Sequence, residues 1–311
     1  MIYTCTLNPA VDYIINLPVL NSNQINRVEH ASFRAGGKGI NVSVVLNNLG
    51  IDSVALGFVG DFTGAFIKKD LEQYPHVKSM FIDIKDYTRL NVKINHGYKE
   101  TDVNDRGPKI SDQDFEKLIK QIEKLTEEDM LICSGSTCYG QDDAYQRIAE
   151  LCEQKKIQYI MDVPGKEILD FIDKKPFLIK PNLQELETYF DIKIKSMKDL
   201  ILYGKKLVDM GASNVLVSMG SKGSILLDKD HIYRANQIHG HVTNTTGAGD
   251  SMIAGFVSSF VQNKDIKKSY LYAVSAGTAT VFGEGLATIE TCTAYQDKIK
   301  IKEIHSWKFA I

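Results

Sequence analysis

The 311-residue chain has almost no excess charge: 37 Lys and Arg stand against 39 Asp and Glu, for a formal net charge of -2. That balance argues against a general polyanion binder but leaves room for a local basic pocket around a small phosphorylated ligand. Cysteine is scarce and scattered. Cys5, Cys133, Cys138, Cys152 and Cys292 are odd in number and form no CxxC pair, so neither a disulfide framework nor a zinc ribbon is indicated. No apolar run approaches the roughly 20 residues of a membrane span. The opening MIYTCTLNPAVDYIINL has no basic segment and is interrupted by Asn8, Pro9 and Asp12, so no signal peptide is expected. The expected location is cytoplasmic, with reduced thiols and with neither membrane nor nucleic acid as a partner.

Two common nucleotide patterns are missing as well. A Walker A loop needs GxxxxGK followed by Ser or Thr, and FRAGGKGI has Gly39 in that last place and Ser32 where the first glycine belongs. A dinucleotide GxGxxG after the first strand is absent too, because TLNPAVD contains no glycine. Any nucleotide site here follows a different design.

Apolar and charged contents of 43% and 24% are ordinary for a globular protein. Length alone suggests about two domains, although α/β folds of this size are often single. From Ser111 onward, strand-like and helix-like runs alternate. SDQDFEKLIKQIEKL opens on a Ser N-cap and carries Phe115, Leu118, Ile119, Ile122 and Leu125 on one face. DMLICSG, IQYIMDV, PFLIKPN and NVLVSMG read as strands between helices, followed by a hairpin, GSILLDKDHIYRA, and two apolar helices from Ala248 and from about Lys268. This pattern predicts βαβ units and a mainly parallel sheet with helices on both faces. The short strands before Ser111 (YIINLPVL, NRVEHASFRA, KSMFIDI, RLNVKI, KETDVND) do not fit that sheet and suggest a small second one, a lid. No linker is evident, so the reading is one domain, 1–311, with lid strands inserted from roughly 10–35 and 88–106.

TNTTGAGDSMIAGF, from Thr243 to Phe256, runs three small residues straight into a carboxylate at a helix start. Gly247, Ala248 and Gly249 expose backbone N–H groups beside the positive end of a helix dipole, which suits a phosphate or a developing oxyanion. Asp250 in the first turn can accept a proton from a hydroxyl held there; a capping Asp after a flexible turn is the plainer alternative. AGGKGIN is a second glycine-rich approach to a helix, with Gly36, Gly37 and Gly39 around Lys38 and Asn41; a tight strand-to-helix turn explains one glycine better than three. Asp12 follows the first strand, where ligands of parallel sheets bind; a solvated loop Asp is the plainer alternative. Asn182 and Glu185 in KPNLQELE are three apart, which suits magnesium held through its waters, or equally a capping box. Arg89 and Lys93 share a strand face that suits a phosphate or a solvated surface. VSMGSKG ends a strand in a turn compatible with nucleotide phosphates or a plain hairpin. His239 and His241 have no acidic or Cys partner nearby, so no metal is assigned to them.

TLNPAVD, GGKGIN, TRLNVKI, SGS, KPNLQEL, VSMGSKG and GAGDSMIAGF together resemble the ribokinase-like (PfkB) sugar kinases over nearly the whole chain. Within that family the motifs are most similar to the branch that phosphorylates phosphorylated ketoses. The resemblance implies a three-layer αβα fold with a β lid, and ATP-dependent phosphorylation of D-fructose 1-phosphate to D-fructose 1,6-bisphosphate with Mg²⁺. A kinase of tagatose 6-phosphate or another phosphorylated ketose is the alternative, followed by a non-catalytic sugar-phosphate sensor. Carried over by motif, Asp250 is the general base and Gly247, Ala248 and Gly249 form the anion hole. Asp12, Gly36, Gly37, Lys38, Asn41 and Arg89 hold the sugar phosphate. Lys180, Asn182, Ser218, Gly220, Ser221, Lys222, Gly223 and Gly249 serve ATP, and Asn182 and Glu185 serve Mg²⁺ through water. The family's lid often mediates dimerisation, which implies a homodimer.

Overall fold

The apolar opening run becomes the middle of the main sheet. In a computed structural model of the chain, residues 1–97 and 99–304 are described; Tyr98 and residues 305–311, part of the 1–311 domain expected above, lie outside them. Strand β1 (Ile2–Thr6) lies between β4 (Ser53–Gly60) and β9 (Met130–Ser134), parallel to both. Beyond β9 follow β10 (Gln158–Asp162), β11 (Leu178–Ile179) and β12 (Val215–Ser218), all parallel. Three antiparallel strands then close that edge: β13 (Ser224–Leu227), β14 (Ile232–Ala235) and β15 (Ile301–Glu303). At the other edge β5 (Val77–Ser79) and β6 (Ile82–Ile84) both pair with β4.

A separate four-stranded sheet contains β2 (Ala10–Leu17), β3 (His30–Gly36), β7 (Leu90–His96) and β8 (Lys99–Asn104), in the order β3-β2-β7-β8. The KSMFIDI run differs from its expected place. Its two short strands extend the main sheet beside β4, in parallel with it, because they follow β4 and the helix after it as the return of a βαβ connection does.

Helices cover both faces of the main sheet. On one side lie α1 (Lys38–Asn48), α7 (Ala248–Asn263), α8 (Ile266–Phe282) and α9 (Ile289–Gln296), packed with Val42, Leu46, Ile253 and Phe256 against Ile132, Ile160 and Leu216. On the other side lie α3 (Asp112–Ile122), α4 (Ala144–Lys155), α5 (Leu183–Phe190) and α6 (Met197–Met210), packed against Leu131, Cys133, Tyr159 and Met161. The alternation along each strand is the period-two pleat dividing its side chains between two cores. Helix α3 begins as its sequence dictates: the Ser111 side chain accepts from the Asp114 N–H, and Phe115, Leu118 and Ile122 are buried. Helix α2 (Asp61–Leu71) fills the remaining corner, with Ile67 and Leu71 against Val11, Ala35 and Val59. The result is a three-layer αβα body with a small sheet beside it.

Candidate active site

Parallel strands deliver their carboxyl ends to one edge. Strand order reverses at β1, with β4 to one side and β9 to the other, and ligands of open α/β sheets bind at such a reversal. A polar cavity of about 510 Å³ opens there, lined by Thr6 from β1, Gly135 after β9, Asp162 from β10, Lys180 after β11 and Ser218 from β12. The small sheet supplies the opposite wall. Its register pairs Asp12 with Arg34 and Asn91, Asn91 with Asn104, and Lys93 with Asp102, which places all of them on one face. Asp12, Asn91, Lys93, Asp102 and Asn104 line the cavity.

A second cavity of about 720 Å³ adjoins the first and shares Ser218 and Gly249 with it. Its walls are largely apolar, with Ile238, Val242, Met252, Val274, Val281 and Phe282, and the turn Gly220–Gly223 borders it. A polar chamber joined to an apolar one suits a ligand with a charged end and a flat, greasy end.

The junction is the start of α7. Gly247 is its N-cap at φ 79°, a left-handed conformation that glycine adopts without strain, and no side chain caps the turn. The first N–H groups of a helix have no intrahelical partner, so this turn offers donors to an anion. Ala248 is the most engaged of the three, its N–H reaching Thr245 O at 3.4 Å. A side chain at Gly249 would place its Cβ 2.9 Å from Lys180 Nζ, so that ammonium lies directly over the turn.

Asp250 is buried within this first turn, and Asn41 Nδ2 of α1 donates to its Oδ2 at 2.8 Å. Burial raises the Asp250 carboxyl from its ordinary range to about 6, reinforced by nearby Asp162 and opposed by Asn41, Lys180 and Lys38. Asp162 lies 3.3 Å from both Lys38 Nζ and Lys180 Nζ, one on each carboxylate oxygen. Its own burial works against ionisation, but the two lysines prevail and hold it below the usual carboxylate range. Burial likewise opposes the Lys38 charge, and Asp162, Glu185 and Asp250 together outweigh it and raise the ammonium above the usual lysine value.

At the small-sheet end, Asn91 Nδ2 donates to Asp12 Oδ1 at 3.0 Å, and Lys93 and Arg34 each lie 3.7 Å from Asp12 Oδ2. Arg89 is partly spent on the backbone, donating from Nε to Asn8 O and from Nη1 to Asp105 O, both at 3.1 Å. Burial lowers its guanidinium below the ordinary value despite Asp12 and Asp105.

The residues singled out in the sequence divide between the two chambers. Asp12, Gly37, Lys38, Asn41, Arg89, Lys180, Asn182, Glu185, Gly247 and Asp250 line the polar one. Ala248, Gly220, Ser221, Lys222 and Gly223 line the apolar one. Gly36 lines neither: a Cβ there would sit 2.7 Å from the Asp12 carboxylate, so its place is to admit that side chain beneath it. Asn182 and Glu185 form a capping box on α5, each accepting from the other's backbone N–H at 2.8 Å. Asp162 escaped the sequence reading, although its place at the end of IQYIMD is the same strand-end signal that pointed to Asp12. The apolar chamber's Ile238–Val242 wall carries no local signal at all.

As a magnesium site, the donor set has a definite character. Asn182 and Glu185 each spend one oxygen on the capping box, and among the described residues no group of three or more His, Cys, Asp or Glu could hold a metal ion. The remaining carboxylate oxygen of Glu185 fits an ion that keeps its water shell.

Comparison with known proteins agrees with this architecture. Residues 6–292 match the pfkB family carbohydrate kinases. The chain is 39% identical to the 1-phosphofructokinase of Bacillus subtilis and 41% identical to that of Borreliella burgdorferi, covering 98% of this chain and 100% of each relative. It is 35% identical to the D-tagatose-1-phosphate kinase of Bacillus licheniformis, at the same coverage. The crystal structure of a candidate phosphofructokinase from Staphylococcus aureus superposes with a TM-score of 0.87 at 40% identity, covering 98% of this chain and 99% of that one.

Proposed function

The chain belongs to the pfkB family of carbohydrate kinases, and from that premise we propose that it transfers the γ-phosphoryl group of ATP to D-fructose 1-phosphate, giving D-fructose 1,6-bisphosphate. The observation that carries this reading is Asp250, buried beside the turn that the polar and apolar chambers share. The nucleoside occupies the apolar chamber, with its phosphates leading past Ser218 and the Gly220–Gly223 turn toward Gly249. The sugar phosphate occupies the polar chamber, held by Asp12, Gly37, Lys38, Asn41 and Arg89.

Asp250 takes the proton of the free primary hydroxyl as that oxygen bonds to the γ-phosphorus. The bond from the γ-phosphorus to the bridging oxygen breaks, and ADP leaves with that electron pair. N–H groups of the Gly247–Gly249 turn and the Lys180 ammonium receive the charge on the transferring group. Magnesium, if bound with the nucleotide, would neutralise phosphate charge; the free carboxylate oxygen of Glu185, with Asn182 beside it, would hold the ion through its waters.

A second reading is phosphorylation of D-tagatose 1-phosphate, which differs from D-fructose 1-phosphate only in configuration at C4. It is favoured by the 35% identity to the Bacillus licheniformis kinase. An ADP-release assay with Mg-ATP decides between them, using fructose 1-phosphate, tagatose 1-phosphate, tagatose 6-phosphate and fructose 6-phosphate. We expect the highest kcat/KM for fructose 1-phosphate; a preference for a tagatose phosphate reassigns the substrate, and no turnover on any of the four removes the kinase reading.

For assembly, the reading is a homodimer through the outer face of the small sheet. The register aligns Phe33, Tyr13, Val92 and Val103 in one apolar row across all four strands. Phe33 and Val103 are 54% and 57% exposed, and Tyr13 stacks on Phe33 with ring centroids 4.4 Å apart. No described helix is long and apolar enough to cross a membrane, and with ATP as donor the cytoplasm is the proposed compartment.

A further inference from the structure

Phosphoryl transfer needs cations that are already in place, because a flexible lysine that must be ordered during the reaction gives back part of its electrostatic benefit. A lysine side chain loses much rotamer freedom when its ammonium is fixed, so something must hold each ammonium that the transfer uses. Among the described residues, Asp162 is the one group in ion-pair contact with both lysines at the junction. The Asp162 side chain is 2% exposed, and it lies 3.3 Å from Lys180 Nζ on one oxygen and 3.3 Å from Lys38 Nζ on the other. The Lys38 pair leaves its carboxylate oxygen without a well-formed hydrogen bond. The backbone is tied in as well: Asp162 O accepts from Gly135 N at 3.0 Å, and Gly135 O accepts from the Tyr145 hydroxyl at 2.9 Å.

We infer that Asp162 is a positioning residue for the transfer, its buried carboxylate fixing the Lys38 and Lys180 ammonium groups beside the Gly249–Asp250 turn. This rests on the kinase reading above. The carboxylate does two things at once. It aims both cations, and it tempers them: two unopposed ammonium groups, Lys180 on the nucleotide side and Lys38 on the sugar side, would grip the ground-state phosphates as firmly as the transition state, which lowers KM without raising kcat. It also adds a negative charge near Asp250. The other charged groups facing Asp250 are Lys38 from α1 and Lys180 after β11, with the Asn41 amide in direct contact.

The test is steady-state kinetics from about pH 5 to pH 9 on the intact enzyme, Asp162→Asn and Asp162→Glu, with melting temperatures measured alongside. For Asp162→Asn we expect kcat to fall about 10-fold or more, the usual scale for misplaced charges. KM for ATP should stay level or drop, and the acid limb of kcat should move to lower pH, since an anion near Asp250 has gone. Asp162→Glu keeps the charge and displaces the ammonium groups by one methylene, so kcat should fall with the acid limb unmoved. Wild-type kcat in either variant overturns the inference. So does a loss in Asp162→Asn that comes with an unmoved limb and a lowered melting temperature, which is what a merely structural residue gives. If Asp162→Asn does not fold, the Asp162→Glu result decides alone. An inactive wild type would sink the kinase reading and this inference with it, whereas an active wild type matched by its variants sinks this inference only.

Discussion

Asn41 and Asp250 are 209 residues apart in sequence and joined by a 2.8 Å hydrogen bond between the first turns of α1 and α7. Both turns follow a glycine at positive φ, Gly37 and Gly247, and neither helix has a side-chain cap. The bond orients one carboxylate oxygen of Asp250 and leaves the other for a hydroxyl. Removing the Asn41 amide should therefore disturb the direction of the proposed base more than its presence. Asn41→Ala is expected to lower kcat by about 10-fold to 100-fold, the scale of a small misalignment, with the fold retained by circular dichroism.

Asp250 also sets a pH signature on stability. Its carboxyl is raised to about 6 in the folded protein, from an ordinary value of 3.8. A raised carboxyl binds its proton more tightly in the folded state, so its contribution is full below the unfolded value and is lost as pH rises through about 6. The cost of keeping it ionised above that pH is about 3 kcal/mol, at 1.36 kcal/mol per unit. Asp250→Asn should therefore melt higher than wild type at pH 7.5, and the gap should close as pH falls toward 4. Urea melts of both proteins across that range check it; a gap independent of pH contradicts the burial of an ionised base.

Gly249 leaves space that Lys180 occupies. An alanine there would bring its Cβ 2.9 Å from Lys180 Nζ, and the ammonium, the far end of a flexible chain, would move away. Gly249→Ala should cost about 10-fold to 100-fold in kcat with little change in melting temperature. Gly247→Ala should cost stability as well, because its φ of 79° is strained for alanine and its Cβ would meet a Leu286 methyl at 2.6 Å.

All five cysteines are buried and free. Burial lifts Cys138, Cys152 and Cys292 to about 12, and a hydrogen bond with Cys5 together with burial raises Cys133. Thiolates are therefore scarce in the native protein at neutral pH. A chromogenic disulfide reagent should find no fast-reacting thiol before denaturation and five after it. A fast native thiol would show that one of these cores opens readily.

The apolar row on the small sheet makes a separate statement about assembly. Sedimentation should give twice the mass of the chain, and Phe33→Lys, which places a charge at the exposed β3 end of the row, should shift it toward the single chain. A wild-type monomer at micromolar concentration would remove the dimer reading.

The sequence made the αβα layers legible because helices such as α3 carry a one-sided apolar pattern, α7 and α8 are long apolar runs buried on most faces, and each central strand is a short apolar run. KSMFIDI went astray because its two three-residue strands are too short to show which sheet they join. The same brevity hides β15, and the eight residues of α9 are few for a helical pattern to show. In the site, glycine-rich turns and strand-end carboxylates announced Gly37, Lys38, Asp12 and Asp250. Asp162 sat in an equally telling place, but its meaning comes from Lys38 and Lys180, which lie far from it or just beyond the next strand. The spacing of Asn182 and Glu185 fitted two readings, and the capping box is formed; the free carboxylate oxygen keeps the magnesium reading open to test by activity at varied Mg²⁺ in Glu185→Gln.

The central claim is tested most directly by following labelled γ-phosphate from ATP into sugar product, with fructose 1-phosphate as acceptor and Asp250→Asn beside the wild type. We expect the label in fructose 1,6-bisphosphate, and a fall in rate of about 10²–10⁴-fold in the variant, the range for loss of a general base. Label that never leaves ATP in the wild type, or an Asp250→Asn enzyme that transfers it at the wild-type rate, would contradict the account.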